Sequence, residues 1–571
     1  MTTDTEALDR LDLSCDVLVV GGGPAAAWAA VKAAEGGADV VLADKGYCGS
    51  SGATAAAGTG VWYVPPHPEE REAAMASREG LGGHLADRRW MARVLDQTWE
   101  NMHEVADVSR YPFPVDAAGR QIRRGLQGPE YMRRMRVRVL RSGVRVLDHS
   151  PVLELLVDDA GAVAGAAGHR RQEDRPFTVR AGAVVLATGG CAFLSRALGT
   201  NVDTGDGYLM AAEAGAVLSG MEFSNAYALA PEFTSLTKTA YYGYATFYHA
   251  DGTVLEGAGS KKGRSVIARA LLDEGTVLCR IDRADEAARR AMRLGQANFF
   301  LPFDRLGIDP FTELFPVTLL AEGTVRGTGG IRIAGDDCAT GVPGLYAAGD
   351  AATRELICGG FTGGGSHNAA WAMSSGTWAG RGAAAFARGL GGRARTRRLT
   401  PLGGAGLRPT GAPGPAGAHR AVIEAVRGEV LPYDKNYLRE GGRLAAALGA
   451  LDGIWGDLRA SLTGYGPARG RAREAAAMAA TGRWMYTAAL ARTETRGMHK
   501  RSDHPSQADP VWRHRLLTGG LDDLWTAPEG GTGAPGAHTV HTARAAHTVH
   551  TAPTAHPVHT VPAAGRAEVA R

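Results

Sequence analysis

The sequence predicts an α/β fold whose first unit is a parallel sheet wrapped by helices and built to hold a dinucleotide. Three observations predict it. Residues 15 to 23 read CDVLVVGGG, an apolar run ending in glycines; Trp28 to Ala34 then suit a helix; and ADVVLADK supplies a second strand closing on Asp44, 23 residues beyond Gly21. Strand, tight turn, helix, strand and acid, in that order, make a βαβ dinucleotide-binding unit.

Each piece has its own reason. Gly21 permits the turn, Gly23 lets the backbone approach a pyrophosphate, Pro24 and Ala25 open the helix, and Ala26 allows close packing, while the helix N-terminus faces the phosphate charge. Asp44, with Lys45 beside it, is placed to accept hydrogen bonds from a ribose. Two further apolar strands with Gly-rich ends follow: AGAVVLATGG (181 to 190), and GVPGLYAAGDAA (341 to 352), which reaches Asp350. With the N-terminal cradle they resemble the two-dinucleotide-binding-domain flavoproteins, and that resemblance implies FAD rather than NAD.

At 571 residues the chain has length for about three or four units of roughly 100 to 200 residues. A net charge of +4 with 21% charged residues argues against a nucleic-acid binder and against wholesale disorder. No apolar stretch reaches membrane-spanning length, and the N-terminus carries acids where a signal peptide needs a basic region, so a cytoplasmic protein is expected. Six scattered cysteines with no CxxC pair predict neither an iron–sulfur cluster nor a metal site.

Five stretches narrow the reading: SSGATAAAG (50 to 58), TGDGYLMAAEAGA (204 to 216), MEF (221 to 223), GRSVIARA (263 to 270) and RTETRGMHKRSDHP (492 to 505). In this order they resemble the succinate dehydrogenase/fumarate reductase flavoprotein family, which includes L-aspartate oxidase and the adenylylsulfate reductase flavoprotein. The resemblance covers roughly residues 14 to 525. It implies a Rossmann-like FAD-binding domain with an inserted α+β capping domain, plus a helical C-terminal domain. The expected limits are 14–218 and 329–388 for the FAD domain, 219–328 for the cap, 389–419 for a flexible linker and 420–525 for the helical domain. Residues 526–571 are expected to be a disordered tail; three nine-residue units such as HTVHTARAA give it paired histidines with at most a loose affinity for divalent metal.

The family's functional residues carry over position by position. Asp206 and Asp350 match FAD-contacting acids, and Ser51, Gly52, Thr54 and Gly58 belong to the loop that wraps the pyrophosphate and flavin edge. Val152, Ala187, Thr188, Gly189, Asn368 and Ala369 complete the expected cofactor set. Where the respiratory enzymes join a histidine to the flavin, this chain has Gly52 and Ala53, so non-covalent FAD is expected. Arg264 falls on the arginine that delivers a proton to the substrate double bond as hydride leaves flavin N5; a capping or ion-pairing arginine is the alternative.

Three of four polar substrate anchors are replaced. Tyr227 stands for a histidine after MEF, Val325 for a second histidine, with Arg326 next to it, and Gly363 for an arginine. A site for two carboxylates needs a fixed ring of charge. The expectation is therefore an FAD-dependent oxidoreductase that moves hydride at N5 on a non-dicarboxylate substrate, with Arg264, Tyr227 and His367 as catalytic residues. TAYYGYATFYHADG (239 to 252) reads either as aromatic pocket lining or as a half-buried strand. Nine arginines between Arg120 and Arg145 face the single acid Glu130, which suits a solvated helix face or a dock for an acidic electron carrier. Lacking an internal cluster, the chain is expected to exchange electrons with dioxygen, a free reductant or a separate iron–sulfur or ferredoxin-type partner. Two alternatives stand: an adenylylsulfate-reductase-like flavoprotein subunit, and a non-catalytic flavin electron-transfer subunit. The 492 to 505 stretch is expected to fold back onto the flavin domain as an ion-pair network.

Overall fold

The structure is a computed structural model that describes residues 10–237, 239–260, 263–362 and 366–530. The chain enters through β1 (Leu11–Val20), α1 (Pro24–Glu35) and β2 (Val40–Ala43), then a long-range antiparallel pair, β3 (Gly58–Gly60) with β4 (Gly125–Gln127). Helix α2 (Gly128–Arg141) leads to β5 (Arg145–Leu147), β6 (Val152–Val157), β7 (Val163–Arg170) and the long β8 (Arg175–Leu186). After β9 (Leu218–Ser219) come β10 (Ala226–Pro231), β11 (Thr246–Tyr248), α3 (Arg264–Asp273), β12 (Val277–Arg280) and β13 (Phe315–Glu322). The chain returns through β14 (Gly330–Ile331), β15 (Leu345–Ala347) and α4 (Ser366–Leu390). It continues through β16 (Thr400–Pro401), α5 (His419–Val430), α6 (Gly441–Ser461), α7 (Ala468–Ala491), β17 (Leu516–Gly519) and β18 (Trp525–Pro528).

Strands β5, β2, β1, β8 and β15 pair in parallel, and β7, β6 and β16 extend the same sheet antiparallel from β8. The parallel strands read as continuous apolar runs because helices cover both faces. Helix α4 lies on α1 through small residues: a Cβ on Gly376 would sit 2.4 Å from the Ala25 carbonyl oxygen, and one on Gly380 2.3 Å from that of Ala29. This close approach fixes the helix that opens the cofactor cradle.

The antiparallel sheet β10-β13-β12-β11 forms the cap and has its own apolar core. Of the aromatic stretch, only Thr246–Tyr248 is strand; Tyr241–Tyr244 is a 3-10 turn, and Tyr242 and Phe247 pack with Phe299 in that core. The basic run is only partly solvated: Arg138 is buried against Glu35 and Glu104, and Arg136 pairs with Asp148.

Two expectations change. The 389–419 segment is not a loose connection: β16 adds an edge strand to β6, Arg397 donates to the carbonyls of Ala181 (2.6 Å) and Gly182 (3.1 Å), and Arg408 grips the Glu154 carboxylate with two nitrogens (2.7 and 2.8 Å). A guanidinium fork supplies what the composition lacks in apolar anchors. At the other end, residues 526–528 lie in β18, which pairs with β17 in a sheet shared with β9 and β14, and Glu529 binds Arg332 and Arg515. The histidine repeat, with its metal reading, lies outside the described residues.

Candidate functional site

The three glycines after β1 are needed for three different reasons. Gly21 has φ +124°, and a Cβ there would lie 2.2 Å from the Ala187 oxygen. A Cβ on Gly22 would lie 2.1 Å from Oδ2 of Asp44. Gly23 meets nothing within 4 Å, so its bareness keeps space open at the N-terminus of α1. That space belongs to a cavity of about 670 Å³.

Its wall joins the expected cofactor residues: Gly21, Gly23, Pro24 and Ala25 from the cradle, Asp44 and Lys45 after β2, and Ser51, Gly52, Thr54 and Gly58 from the wrapping loop. Val152, Ala187, Thr188, Gly189, Asp206, Asp350, Asn368 and Ala369 complete it. Ala26 is fully buried outside the wall, where it serves helix packing. The donor set suits a dinucleotide: an open glycine cradle at a helix start, followed by acids at the strand ends.

Asp44 accepts from Ser51 Oγ at 2.7 Å, and burial raises its carboxyl above the usual range. Lys45 donates to Thr204 Oγ1 (2.6 Å) and Asp206 Oδ2 (2.5 Å). Burial disfavours its charge, yet Asp206 and Glu474 outweigh that and raise its pKa. Asp350 is held by Arg354, whose fully buried guanidinium also donates to the carbonyl oxygens of Thr324 (2.8 Å) and Val325 (3.2 Å).

Arg264 stands at the start of α3 and lines the cavity. Its Nε donates to the Ser260 oxygen (2.7 Å) and its Nη1 to the Tyr227 main-chain oxygen (2.8 Å). Burial, and secondarily Arg326, lower its pKa. Arg326 and Glu322 lie in the same wall, joined at 3.2 Å, with Thr237 Oγ1 donating to Glu322 at 2.6 Å. Val325, Phe361, Met498 and Leu81 supply the apolar part.

Two expected catalytic residues are placed otherwise. Tyr227 contributes to the wall, but its hydroxyl is engaged by the carbonyl oxygens of Leu431 (2.9 Å) and Val430 (3.1 Å), and burial pushes its pKa well up. The hydroxyl ties β10 to the end of α5. His367 is fully buried outside the cavity wall, with Nδ1 on the Thr362 oxygen (3.0 Å) and its ring 4.6 Å from Trp62. Burial lowers its pKa to about 3, which favours the neutral ring, and its buried Nε2 has no partner among the described residues. Gly363 lies outside the described residues.

Sequence reasoning left out Gly22, Glu322, Ser260 and Met498. Glu322 had a signal, an acid closing the apolar strand VTLLAE; Met498 had none until the chain folded. It comes from the 492–505 stretch, where Arg492, Glu494, Arg496 and His499 are all buried. Arg492 bridges Glu222 (2.7 Å) and Glu494 (2.9 Å), and Arg496 donates to Glu494 (2.6 Å). His499 accepts from Arg439 at Nδ1 (2.7 Å) and donates from Nε2 to the Arg492 oxygen (3.0 Å). The network ends with the Met498 N–H on the Gly360 oxygen (2.9 Å), which delivers the methionine to the cavity.

All six cysteines are buried and unpaired, and among the described residues no cluster of metal-binding side chains occurs. No described helix is long and apolar enough to cross a membrane.

Residues 16–231 match the family model described as FAD binding domain, and residues 439–526 match that described as Fumarate reductase flavoprotein C-term. L-Aspartate oxidase of Streptomyces coelicolor is 29% identical over 417 residues, covering 68% of this chain and 69% of that one. One chain of the fumarate reductase (CoM/CoB) of Methanothermobacter marburgensis is 26% identical over 225 residues, covering 36% and 41%. A mutant of E. coli quinol fumarate reductase FrdA superposes with a TM-score of 0.74 at 20% identity, covering 93% of this chain and 99% of that one. Adenylylsulfate reductase of Archaeoglobus fulgidus gives 0.71 at 17% identity, covering 93% and 97%. The two structural matches carry a shared fold.

Proposed function

Because the chain belongs to the succinate dehydrogenase/fumarate reductase flavoprotein family and is an FAD-dependent oxidoreductase, we propose that it acts by hydride transfer on a substrate other than a dicarboxylate. Bound FAD supplies a centre that accepts or gives a hydride at N5. The chain's own residues handle the proton, the orientation and the exclusion of water.

One observation carries the reading: the substrate end offers the guanidiniums of Arg264 and of Arg326, the latter also paired with Glu322, against an apolar wall of Val325, Phe361 and Met498, while the Tyr227 hydroxyl is committed to α5. That suits one anionic group on an apolar or extended body. An arginine gives up a proton only when its neutral form is stabilised, and the buried position of Arg264 beside a second cation favours that form. Arg264 is accordingly our proton donor to substrate carbon, held in place by Ser260 and the Tyr227 main chain.

The cofactor is held non-covalently, since Gly52 and Ala53 offer no nucleophile. Six cysteines scattered without a CxxC pair, all buried and unpaired, support electron exchange with an outside reductant, dioxygen or an iron–sulfur partner, and unpaired thiols suit the cytoplasm. The two arginines also favour a second reading, an anionic nucleotide sulfate as substrate. Rapid-mixing reduction and reoxidation of the bound FAD separates these, using enoates, saturated monoacids, enones and nucleotide sulfates, with fumarate, succinate and aspartate as controls. A control dicarboxylate that outpaces every other compound overturns the proposal.

A further inference from the structure

A second recess, of about 480 Å³, lies behind Tyr227. Three parts of the chain meet there: β13 with Thr318 and Leu320, the turn after α5 with Leu431, Pro432 and Tyr433, and the 193–196 loop with Ser195 and Arg196. Sites for small molecules favour such junctions between elements. The apolar share of the wall is large, and its charged members are Arg196 and Arg427, with no acid among the lining residues.

Both arginines have capacity left. Arg196 makes no hydrogen bond or ion pair among the described residues. Arg427 gives Nη1 to Glu424 (2.7 Å), but its buried Nε has no partner. The hydroxyls, by contrast, are committed: Ser195 Oγ to the Ala321 oxygen and Tyr433 to Leu319 (2.9 Å). The loop that presents Arg196 is held in an uncommon shape, with Phe193, Leu194 and Arg196 at φ +55°, +50° and +72°. Left-handed backbone at three non-glycine residues costs free energy and clusters at binding sites. Ser195, bonded to β13, and the packed Phe193 hold that shape.

We propose that this recess is a second binding site, one that takes a small organic anion: a carboxylate on an aromatic or short aliphatic body. The carboxylate is received by Arg196 and the outer face of the Arg427 guanidinium, and the body lies against Leu320, Leu431 and Pro432. Charge-assisted bonds to guanidinium give the anchor its selectivity over neutral or cationic analogues. The position also matters to the main cavity. Tyr227 lines both spaces, and its main-chain oxygen holds Arg264; α3 places Leu272 in the recess at one end and Arg264 in the cavity at the other. The site stands apart from the substrate reading above, because its test measures binding rather than turnover.

The test titrates the FAD-loaded protein by calorimetry with benzoate and with hexanoate, using benzylamine as the cationic control, while the visible flavin spectrum reports on ligand beside the flavin. We expect one carboxylate to bind without moving the flavin bands, the amine not to bind, and the Arg196→Ala/Arg427→Ala double variant to lose about tenfold or more in affinity. An Arg264→Ala variant should retain this binding. The proposal is overturned if neither carboxylate binds, if the double variant binds as the parent does, or if binding is lost in Arg264→Ala and accompanied by a flavin shift, which would locate the anion in the main cavity. An unchanged flavin content and melting temperature in the double variant keeps a folding defect from imitating the expected loss.

Discussion

Arg264 is exposed to a sharp test because its two hydrogen bonds are to main-chain oxygens, which any substitution leaves in place. Arg264→Ala should lower flavin turnover with the true substrate on the order of 10²- to 10⁴-fold, and Arg264→Lys, which keeps charge but not the fork, should restore little of it. Full turnover in the alanine variant would remove Arg264 from the proton path. Gly22 makes a complementary case in the cofactor end. Because Oδ2 of Asp44 lies only 2.1 Å from where a Cβ on Gly22 would sit, Gly22→Ala must displace the acid that closes the cradle. The variant should purify with much less bound FAD, read as the ratio of flavin to protein absorbance; a normal ratio would show that Asp44 yields without cost.

At the scale of elements, the buried charge network around α7 and the segment that follows it dominates. Glu494 is shared by Arg492 and Arg496, all three fully buried, and removing one partner of such a set leaves cations unpaired. Glu494→Gln should cost about 3–5 kcal/mol, seen as a fall in denaturant midpoint. A loss near zero would mean that Glu222 and Asp509 suffice. A second buried acid sets a pH dependence. Glu355 accepts from Ser219 (2.5 Å), and burial, followed by Glu222, raises its pKa from 4.5 to about 8. The folded chain therefore binds a proton that the unfolded chain has released between those values. Its contribution to stability is complete below the unfolded pKa and disappears as pH rises through the folded one. The melting temperature should fall from about pH 5 to about pH 8.5, with Glu355→Gln flattening the slope; an identical slope in the variant would assign it to another group.

The sequence made some elements plain and concealed others for reasons of the same kind. The βαβ cradle was legible because glycine spacing and apolar runs are local signals. Arg397 and Arg408 turned a Gly/Pro-rich stretch into a packed edge because long-range guanidinium bonds leave no local trace. Tyr227 and His367 were read from their positions in motifs, yet the direction of a hydroxyl or a ring depends on α5 and on Trp62, far away in the chain.

For the molecule as a whole, the proposed non-covalent hold on FAD rests on Gly52 and Ala53, which offer no nucleophile in the wrapping loop. Acid precipitation should release the flavin entirely into the supernatant; yellow colour remaining with the precipitate would show a covalent bond.

Met498 adds a consequence in the order of synthesis. The glycine cradle and Asp44 leave the ribosome hundreds of residues before the methionine that finishes the substrate chamber. A nascent chain can thus acquire its flavin while the chamber still lacks one side, and chemistry on the substrate waits for the last stretch. Chains arrested short of residue 490 should quench added FAD fluorescence without turning over any substrate, and arrested chains that fail to quench would show that the cradle needs the C-terminal segment as well.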